Sequence, residues 1–353
     1  MKINAQSDTK LMVPAEDVAP FLMHNGDNVS GFLFLDFAYC LRRSADPGSK
    51  PIAILDVEAW QAHCDRYYFA GRGQSSQNYE LHRWNESFKW RWMRGPYRLI
   101  DEGQATFYDE NGYVVLPGAV GPAVIERLIE ETDRIEAEHQ HVLASLENGK
   151  GFIARADEIS FTTHLVRKST FFRNFYSSQL FRDIASDFVG PSVRLYWDQA
   201  VYKKPGVQKP FPWHQDNGYT FVVPQQYITV WIALTQATED NGCMWFVPGV
   251  HHLGTISHEL TDLGYAMYCD RPPSNAVPVE CQAGTVIVLS ALCPHMTGHN
   301  NTNRTRRALV AQFVENGSYQ LTADLKTGAP IRKNVEDEMR QFMILRDGHP
   351  VVR

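Results

Sequence analysis

The tetrapeptide Trp213-His214-Gln215-Asp216 decides the fold prediction, together with Pro294-His295 later in the chain. Side chains at positions i and i+2 of a β-strand point to the same face. An extended chain here would therefore aim the His214 imidazole and the Asp216 carboxylate at one point. Two neighbouring ligands cannot close a metal site, so a third must come from elsewhere in the chain, and His295 is the candidate.

Two histidines and one carboxylate on one face of an octahedron are typical of non-haem Fe(II) oxygenases, because the open positions admit O₂ and a reductant. A structural zinc site, usually with four cysteine or histidine ligands, leaves no such room. The triplet alone is a weak signal, and a merely hydrogen-bonded histidine and aspartate are the alternative. His299 competes with His295 but sits in a predicted turn, and His251 and His252 are expected to shape the pocket mouth.

Short segments rich in β-forming residues surround the triplet, and turn signals separate them. Asn241-Gly242 is a hairpin-type turn, and Pro248-Gly249 ends the segment that follows it. This spacing predicts a sandwich or barrel of short strands. The predicted strands are 192–202, 227–234, 243–247, 284–290 and 307–313.

Several motifs of this chain occur in the order and with the approximate spacing of a known family. The motifs are 111–118, 213–216, 230–234, 241–244 with 247–251, and 295–300 with 306–308. With them, the run from about residue 109 to residue 313 resembles the phytanoyl-CoA dioxygenase family of Fe(II)/2-oxoglutarate oxygenases. The resemblance covers somewhat over half of the chain, and the combination of motifs is specific although no single motif is. Met296 is a minor departure, because the family usually has a smaller residue there.

The resemblance implies a catalytic Fe(II) held by His214, Asp216 and His295, with 2-oxoglutarate and O₂ as cosubstrates. It also implies the fold: mostly β with flanking helices, a double-stranded β-helix of the jelly-roll, cupin-like type. Asp216 favours hydroxylation over halogenation, because related halogenases lack this carboxylate. Desaturation, epoxidation or ring closure would use the same site.

The resemblance further implies a set of cosubstrate-binding residues. Arg306, eleven residues after His295, matches the arginine that binds the distal carboxylate of 2-oxoglutarate. A guanidinium suits this role because it grips a carboxylate bidentately and stays charged. Thr297 matches a hydroxyl residue that assists the arginine, and Trp231 matches a tryptophan that lines the cosubstrate pocket.

Other interpretations of these residues stay open at this point. Arg304, Arg306 and Arg307 could form a solvated basic turn, although strand alternation would turn Arg306 and Arg307 to opposite faces. Trp231 could be a plain core residue, as a large aromatic residue in an apolar strand usually is.

The composition is that of an ordinary globular protein, with 353 residues, a formal net charge of −6 and 44% hydrophobic residues. A mildly acidic chain lacks the basic footprint of nucleic-acid-binding proteins. No apolar run approaches the roughly 18 residues of a membrane helix, and the N-terminus lacks the apolar centre of a signal peptide. The six cysteines are widely spread without a Cys-x-x-Cys pair. We therefore expect reduced thiols and a cytoplasmic location, with Cys293 as a small core residue.

Two regions are predicted: an N-terminal extension at 1–103 and an oxygenase domain at 104–353. The extension is expected to pack on the core and to act as a lid or as a subunit contact in a homodimer. It contains an apolar run at 31–40 and a strand or buried turn at 52–57. Its aromatic and basic segment 84–98 could bind nucleic acid or phosphates, but packing of the rings on the barrel is the favoured interpretation.

Further segments carry structural predictions. Residues 122–131 have the pattern of an amphipathic helix with Pro122 in its first turn, and residues 334–346 look helical too. A loop-rich insertion at 255–280 is expected at the barrel mouth. Candidate pocket residues in the mixed segment 151–175 are Phe161, His164 and Arg167.

The resemblance implies oxidation of an unactivated C–H bond, and a small molecule of specialised metabolism is the first substrate class that we expect. An acyl group on CoA or a carrier protein is the second substrate class. For that class Lys203, Lys204 and Lys209 could meet phosphates, although such lysines are usually solvated. A catalytically silent cupin-like binding protein and a zinc hydrolase are the remaining alternatives.

Overall fold

The computed structural model describes residues 79–146, 154–155, 158–207, 209–268, 273, 275–324 and 327–351, together with the backbone of two short strands. These strands are β1 (Met12–Pro14) and β2 (Pro51–Ile54), which pair antiparallel. The predicted strand or buried turn at 52–57 thus begins inside β2, and its residues 55–57 lie outside the described residues. The predicted apolar run at 31–40 lies outside them as well.

From residue 79 onward the elements alternate between strands and a few helices. The strands are β3 (Tyr113–Leu116), β4 (Ile159–Thr163), β5 (Val193–Lys203), β6 (Phe211–His214), β7 (Phe221–Val223), β8 (Ile228–Ala233), β9 (Met244–Phe246), β10 (His258–Thr261), β11 (Gly264–Met267), β12 (Val277–Val279), β13 (Val286–Ser290), β14 (His295–Thr297), β15 (Arg306–Glu315), β16 (Tyr319–Ala323), β17 (Pro330–Asn334), β18 (Met343–Arg346) and β19 (His349–Pro350). The helices are α1 (Glu102–Asn111), α2 (Pro122–Ser145), α3 (Leu165–Lys168), α4 (Thr170–Tyr176) and α5 (Gln179–Phe188).

The strands form a jelly roll of the double-stranded β-helix type. The larger sheet has the order β19-β18-β5-β15-β8-β13-β3, and β4 pairs with the same long strand β5 that also pairs with β18. The smaller sheet has the order β12-β9-β14-β6, and β17-β16-β7 form a three-stranded sheet. Pairing within these sheets is antiparallel. The predicted fold class is therefore confirmed.

Strand β8 shows how the larger sheet separates two apolar layers. Val230 and Ile232 pack with residues of the helices in one cluster, and Trp231 and Ala233 pack between the sheets in another. Every residue of β8 is buried, as expected for a strand that is covered on both faces. The continuous apolar run predicted at 227–234 follows from this double burial.

A turn is present at Asn241-Gly242, but the predicted hairpin is wrong, because a 3₁₀ helix, Glu239–Asn241, precedes Gly242 and the flanking strands β8 and β9 lie in different sheets. Gly242 has a φ of 86°, in the left-handed region. A Cβ atom there would lie 2.8 Å from the carbonyl oxygens of both Gly298 and His299. The close approach packs this turn against the residues that follow β14.

The helix predictions have mixed outcomes. The helix predicted at 122–131 is confirmed as α2, with Pro122 as its first residue, and it continues to Ser145. The helix predicted at 334–346 is wrong, because β17 ends at Asn334 and β18 begins at Met343. Pairing of β18 with the edge of β5 satisfies its backbone groups, and tertiary pairing of this kind overrides the weak preference of a local sequence for helix.

The segment that precedes α1 packs on the core. Trp90, Met93 and Tyr97 contact the apolar cluster that lies between the larger sheet and the helices. The packing interpretation of segment 84–98 is therefore confirmed for the rings of Trp90 and Tyr97. Trp92, by contrast, is 57% exposed. In the parts of the chain that the structure describes, no helix combines the length and the apolar character that a membrane crossing requires.

Candidate metal and cosubstrate site

Strand pairing in the smaller sheet brings the two predicted histidine ligands together. β14 pairs with β6, and the register places His295 opposite His214. Their ring centroids are 4.1 Å apart. The two histidines are therefore cross-strand neighbours although they lie far apart in sequence.

Asp216 reaches the same point by a route that the sequence did not predict. β6 ends at His214, and Asp216 begins a short 3₁₀ turn, Asp216–Gly218. The predicted reason, two alternate residues on one strand, is therefore wrong. The intervening Gln215 is fully buried, and its side chain donates to the carbonyl oxygens of Gly254 and Leu292. This anchor turns the chain out of the strand.

The three side chains form a compact donor set. The Nε2 atoms of His214 and His295 lie 3.9 Å and 3.8 Å from Oδ1 of Asp216. No other group of three His, Cys, Asp or Glu side chains comes this close among the described residues. Two nitrogen atoms and one carboxylate oxygen within 4.8 Å of one another suit a single divalent ion.

The imidazoles are oriented by their second nitrogen atoms. Nδ1 of His214 is 2.8 Å from the carbonyl oxygen of Pro212, and Nδ1 of His295 is 2.9 Å from that of Cys293. Since a carbonyl oxygen only accepts, each Nδ1 carries the proton and each Nε2 keeps a free lone pair. Burial, together with the neighbouring His295, holds the pKa of His214 well below its usual value of 6.5. The imidazole is therefore neutral at physiological pH, as a metal ligand must be.

The far oxygen of Asp216 is held by a polar pair from the larger sheet. Oδ2 of Asp216 accepts a hydrogen bond from the hydroxyl of Thr229. The Thr229 oxygen accepts in turn from Nε2 of Gln312, at 3.3 Å. Thr229 and Gln312 are opposite each other on β8 and β15. Oδ1 of Asp216 thus faces the imidazoles, and Oδ2 is fixed by the protein.

Arg306 is a buried cation without a protein partner. It begins β15 and is 1% exposed, and its Nε, Nη1 and Nη2 atoms have no hydrogen-bond partner in the described structure. Burial lowers the pKa of Arg306 from 12.5 to about 10, so it stays charged at neutral pH. An isolated buried charge is costly. A carboxylate that bridges the guanidinium nitrogen atoms would supply the missing partner.

Thr297 and Trp231 line the same cavity as Arg306. The guanidinium carbon of Arg306 is 5.8 Å from the centre of the Trp231 ring. The Thr297 hydroxyl accepts a hydrogen bond of 2.9 Å from Nζ of Lys203. Thr297 follows His295 by two residues on β14, which separates them by roughly 7 Å. A five-carbon keto diacid has the length to reach from the histidine level to the arginine level.

Lys203 departs from the expectation that such lysines are solvated or available to phosphates. It is fully buried, lies opposite Arg306 in the sheet, and donates to Thr297 and to the carbonyl oxygen of Gly298. Burial, with Arg306 next to it, lowers the pKa of Lys203 to about 6. The prediction failed because Lys203 is the last residue of β5, a strand that was predicted to end at residue 202.

The site opens into a largely apolar cavity. Apart from Trp231, its aromatic wall consists of Phe161, Tyr196, Trp197, Phe211, Tyr219 and Tyr227. Of the pocket residues suggested in segment 151–175, only Phe161 lines this cavity. His164 stacks behind Trp197 and contacts Arg340, and Arg167 faces a separate polar groove.

The competing arginines lie outside the cavity. Arg307 points the other way from Arg306, as strand alternation predicted, and its Nε donates to Asp133 at 2.8 Å. Arg304 is exposed. Among these arginines of the described chain, Arg306 alone lines the cavity.

The competing histidines and Cys293 also lie outside the cavity. His299 is exposed. The expectation that His251 and His252 shape the pocket mouth is wrong, because both contact the carbonyl oxygen of Asp109 beside Trp90, and neither lines the cavity. Cys293 is a fully buried core residue, as expected.

Sequence reasoning missed Thr229, Gln312 and Gln199, all of which line the cavity. A signal was available, because each is a polar residue within a strand that is otherwise largely apolar. Polar groups in buried strands need partners. Which face of the strand they occupy, and what they meet there, depends on the register between strands.

Comparison with known proteins gives one family match and a group of distant relatives. The family model described as phytanoyl-CoA dioxygenase (PhyH) matches residues 108–308. A phytanoyl-CoA dioxygenase of Arabidopsis thaliana is 26% identical over 157 residues, which are 43% of this chain and 56% of that protein. Phytanoyl-CoA dioxygenase 1 of Oryza sativa subsp. japonica is 24% identical over 62% of this chain and 89% of its own. A methylphosphonate hydroxylase of Gimesia maris is 26% identical over 61% of this chain and 80% of its own.

Solved structures show the same fold at low identity. The epimerase SnoN from nogalamycin biosynthesis, in complex with Fe³⁺, α-ketoglutarate and nogalamycin RO, has a TM-score of 0.52 and 21% identity. The superposition covers 71% of this chain and 95% of that chain. EvdO2 from Micromonospora carbonacea var. aurantiaca has a TM-score of 0.51 and 22% identity, with 67% and 98% coverage.

Proposed function

Because the chain belongs to the phytanoyl-CoA dioxygenase family of Fe(II)/2-oxoglutarate-dependent oxygenases, we propose that it hydroxylates, or otherwise oxidises, an unactivated C–H bond of a small molecule. The proposed setting is specialised metabolism. The observation that carries the proposal is the pairing of a His-Asp-His donor set with a partnerless buried guanidinium in one cavity.

Each site residue has a proposed role. His214, Asp216 and His295 hold the iron through two Nε2 atoms and Oδ1. Arg306 binds the distal carboxylate of 2-oxoglutarate, since all three of its nitrogen atoms lack another partner. Thr297 and Lys203 complete the polar end of the cosubstrate site, and Trp231 forms its wall.

Iron held by His214, Asp216 and His295 would supply the O₂ activation and one-electron chemistry that an unreactive C–H bond requires. The protein holds the donors rigid, because each imidazole is fixed by a backbone carbonyl and Asp216 is fixed by Thr229. The aromatic wall excludes water from the reacting groups. The carboxylate of Asp216 occupies the position that a halide would need, which favours hydroxylation.

The acyl-CoA alternative has less support from this chain. Of the three lysines considered for phosphates, Lys203 is buried against Thr297. Lys209 is exposed and lies 3.7 Å from Asp262. We also propose a reducing, cytoplasmic setting, supported by three free cysteines among the described residues, Cys243, Cys281 and Cys293.

The test is a turnover assay with Fe(II), 2-oxoglutarate and a library of small molecules. We expect iron-dependent succinate formation and a product heavier by one oxygen atom in mass spectrometry. Arg306→Met should abolish succinate formation at low 2-oxoglutarate, and the matched control Arg307→Met should retain it, because Arg307 faces Asp133. Absence of succinate with iron loaded would favour a silent binding protein, and O₂-independent hydrolysis with zinc would favour a hydrolase.

A further inference from the structure

Apart from the three donor residues and Arg306, the described residues that line the cavity carry no charge. The charged or metal-binding side chains among its described lining residues are His214, Asp216, His295 and Arg306. All of them are used if iron and 2-oxoglutarate bind as proposed. The part of the cavity that remains for the organic substrate then offers no ion pair. An anionic group that entered it would lose its hydration without gaining a counterion from the described residues, which is unfavourable.

A bulge in the larger sheet makes the wall of this chamber unusually aromatic. The register between β5 and β15 shifts, so that Gln312 pairs with Trp197 and the next residue, Phe313, pairs with Leu195. Tyr196 therefore has no residue opposite it on β15. The consecutive residues Tyr196 and Trp197 both line the cavity. Bulges beside active sites re-aim side chains in this way.

The rings of this wall are held at fixed angles. The Tyr227 ring stands edge-on to Tyr196, with a centroid distance of 5.7 Å and an interplanar angle of 81°. His164 packs edge-on behind Trp197 at 4.3 Å. Buried, interlocked rings of this kind present flat, rigid surfaces, which complement a ring system better than a flexible alkyl chain.

Gln199 offers the chamber a hydrogen-bond donor. The indole nitrogen Nε1 of Trp197 donates to Oε1 of Gln199 at 3.0 Å. Because an indole N–H can only donate, the amide orientation of Gln199 is settled. Its NH₂ group has no protein partner among the described residues, and Gln199 lines the cavity.

Gln312 offers an acceptor by the same reasoning. The Asp216 carboxylate only accepts, so the Thr229 hydroxyl donates to it and its oxygen must accept from the Gln312 NH₂ group. The carbonyl oxygen of Gln312 is then left without a protein partner in the described structure. Val310 pairs with Gln199, and Gln312 with Trp197, so the donor and the acceptor lie in adjacent rows.

We propose that the substrate is an uncharged, ring-containing molecule that carries a carbonyl or hydroxyl oxygen for the Gln199 N–H and a hydroxyl for the Gln312 carbonyl. The inference rests on the proposed function, because it assigns iron and 2-oxoglutarate to the charged groups. An alkyl chain would leave both amide groups buried without partners, which weakens binding. A phosphonate or carboxylate would meet no cation in this chamber.

The test is equilibrium binding by titration calorimetry to the full chain loaded with Mn(II) and 2-oxoglutarate. The neutral probes are the hydroxyketones 6-hydroxy-1-tetralone, 7-hydroxyflavanone and 17α-hydroxyprogesterone, and the charged probes are 1-naphthoate, methylphosphonate and hexanoyl-CoA. We expect at least one neutral ketone to bind about tenfold or more tightly than every charged probe. The proposal is overturned if a charged probe binds as tightly as the best ketone, or if none of the ketones binds.

Gln199→Glu tests the donor directly. The new carboxylate still accepts from Trp197, so the wall keeps its hydrogen bond, but the chamber loses its N–H donor and gains a negative charge. Affinity for the best ketone should fall about tenfold or more. The matched control is Gln282→Glu at an exposed position, which should leave the affinity unchanged. Equal losses in both variants, or no loss in Gln199→Glu, would contradict the assignment.

Binding in this experiment does not require turnover. A protein that binds the ketones but forms no succinate would refute the proposed oxygenase activity and leave the substrate class standing. A protein that forms succinate but prefers hexanoyl-CoA would refute the substrate class and leave the proposed oxygenase activity standing.

Discussion

At the scale of single residues, the two oxygen atoms of the Asp216 carboxylate have different roles. Oδ1 faces the Nε2 atoms of His214 and His295, and Oδ2 accepts from Thr229. The arrangement favours coordination of the metal through one oxygen only. Partners that orient a ligand in this way typically affect metal affinity by about 10–100-fold.

Removing the Thr229 hydroxyl should therefore weaken metal binding. We expect Thr229→Val to raise the Kd for Mn(II) about tenfold, because the Asp216 carboxylate would lose the hydrogen bond from Thr229 that orients it. Thr229→Ser keeps the hydroxyl and should stay close to the wild type. Titration calorimetry with Mn(II) measures both, and equal affinities for Thr229→Val and the wild type would contradict the role of Thr229.

The buried pair of Lys203 and Arg306 should make 2-oxoglutarate binding depend on pH. Burial and the Arg306 charge lower the pKa of Lys203 to about 6. A dianion bound at Arg306 would offset that charge and raise the pKa, so that binding takes up a proton above pH 6. Well below pH 6, Lys203 is protonated both in the free protein and in the complex with 2-oxoglutarate. The affinity for 2-oxoglutarate should therefore fall as the pH rises from about 6 to 8.

The size of this pH effect is expected to be about three- to tenfold in the Kd for 2-oxoglutarate. Lys203→Met removes the titrating group and keeps a similar volume, so its Kd should be nearly flat over the same range. Titration calorimetry at several pH values gives the slopes. A wild-type slope that survives in Lys203→Met would assign the effect to another group.

At the scale of elements, the 3₁₀ turn that carries Asp216 depends on a glycine. A Cβ atom on Gly218 would lie 2.1 Å from the His258 ring. That ring cannot move freely, because its Nε2 accepts from the Gln215 backbone N–H at 2.8 Å and its Nδ1 is 2.8 Å from the carbonyl oxygen of Ile256. The turn and the β10 strand are thus locked together.

Gly218→Ala should destabilise the protein by about 1–3 kcal/mol and weaken Mn(II) binding, because the overpacked turn must shift Asp216. Gly121→Ala is the control, since a Cβ at Gly121 meets nothing within 4 Å. Urea denaturation measures the free energy of unfolding, and calorimetry measures the affinity. Equal stabilities of the two variants would show that the turn has more room than the contacts indicate.

The same scale shows how much of the fold can be predicted from the sequence. The runs predicted at 192–202, 227–234 and 284–290 correspond to β5, β8 and β13. β8 and β13 could be predicted because strands covered on both faces are largely apolar, and β5 because its segment is rich in β-forming residues. The segment 334–346 could not, because β18 is defined by its pairing with β5, which no local pattern encodes.

Part of the candidate site could likewise be predicted from the sequence, and part of it could not. Its ligand histidines and Arg306 belong to motifs with fixed spacing, so the resemblance could point to them. Gln199 and Lys203 acquire their surroundings from neighbouring strands, through Trp197 and Thr297. Contacts of that kind depend on register, and the sequence of one strand does not contain it.

At the scale of the whole molecule, Asp109 joins the segment before α1 to the jelly roll. Its carboxylate accepts from Nε1 of Trp90 and from the backbone N–H of Met93, both at 2.9 Å. Its carbonyl oxygen is contacted by His251 and His252. We propose that the extension at 1–103 is held on the oxygenase domain at 104–353 through this contact; its roles as a lid or in a homodimer stay predictions.

Trp90→Ala should lower the free energy of unfolding by about 2–3 kcal/mol, less than a fully buried tryptophan because Trp90 is only half-buried. The matched control is Trp92→Ala, since Trp92 is 57% exposed, and its cost should stay below about 1 kcal/mol. Chemical denaturation of the full chain gives both values. Equal costs for the two tryptophans would mean that the segment is not anchored through Trp90.

The most direct measurement of the central claim is the binding of 2-oxoglutarate to the protein with and without Mn(II). If the donor set holds the metal and Arg306 holds the far carboxylate, binding should require Mn(II) and should weaken about 100-fold or more in Arg306→Met, with Arg307→Met unaffected. Binding that ignored the metal, or that was equal in the two arginine variants, would contradict the site described above.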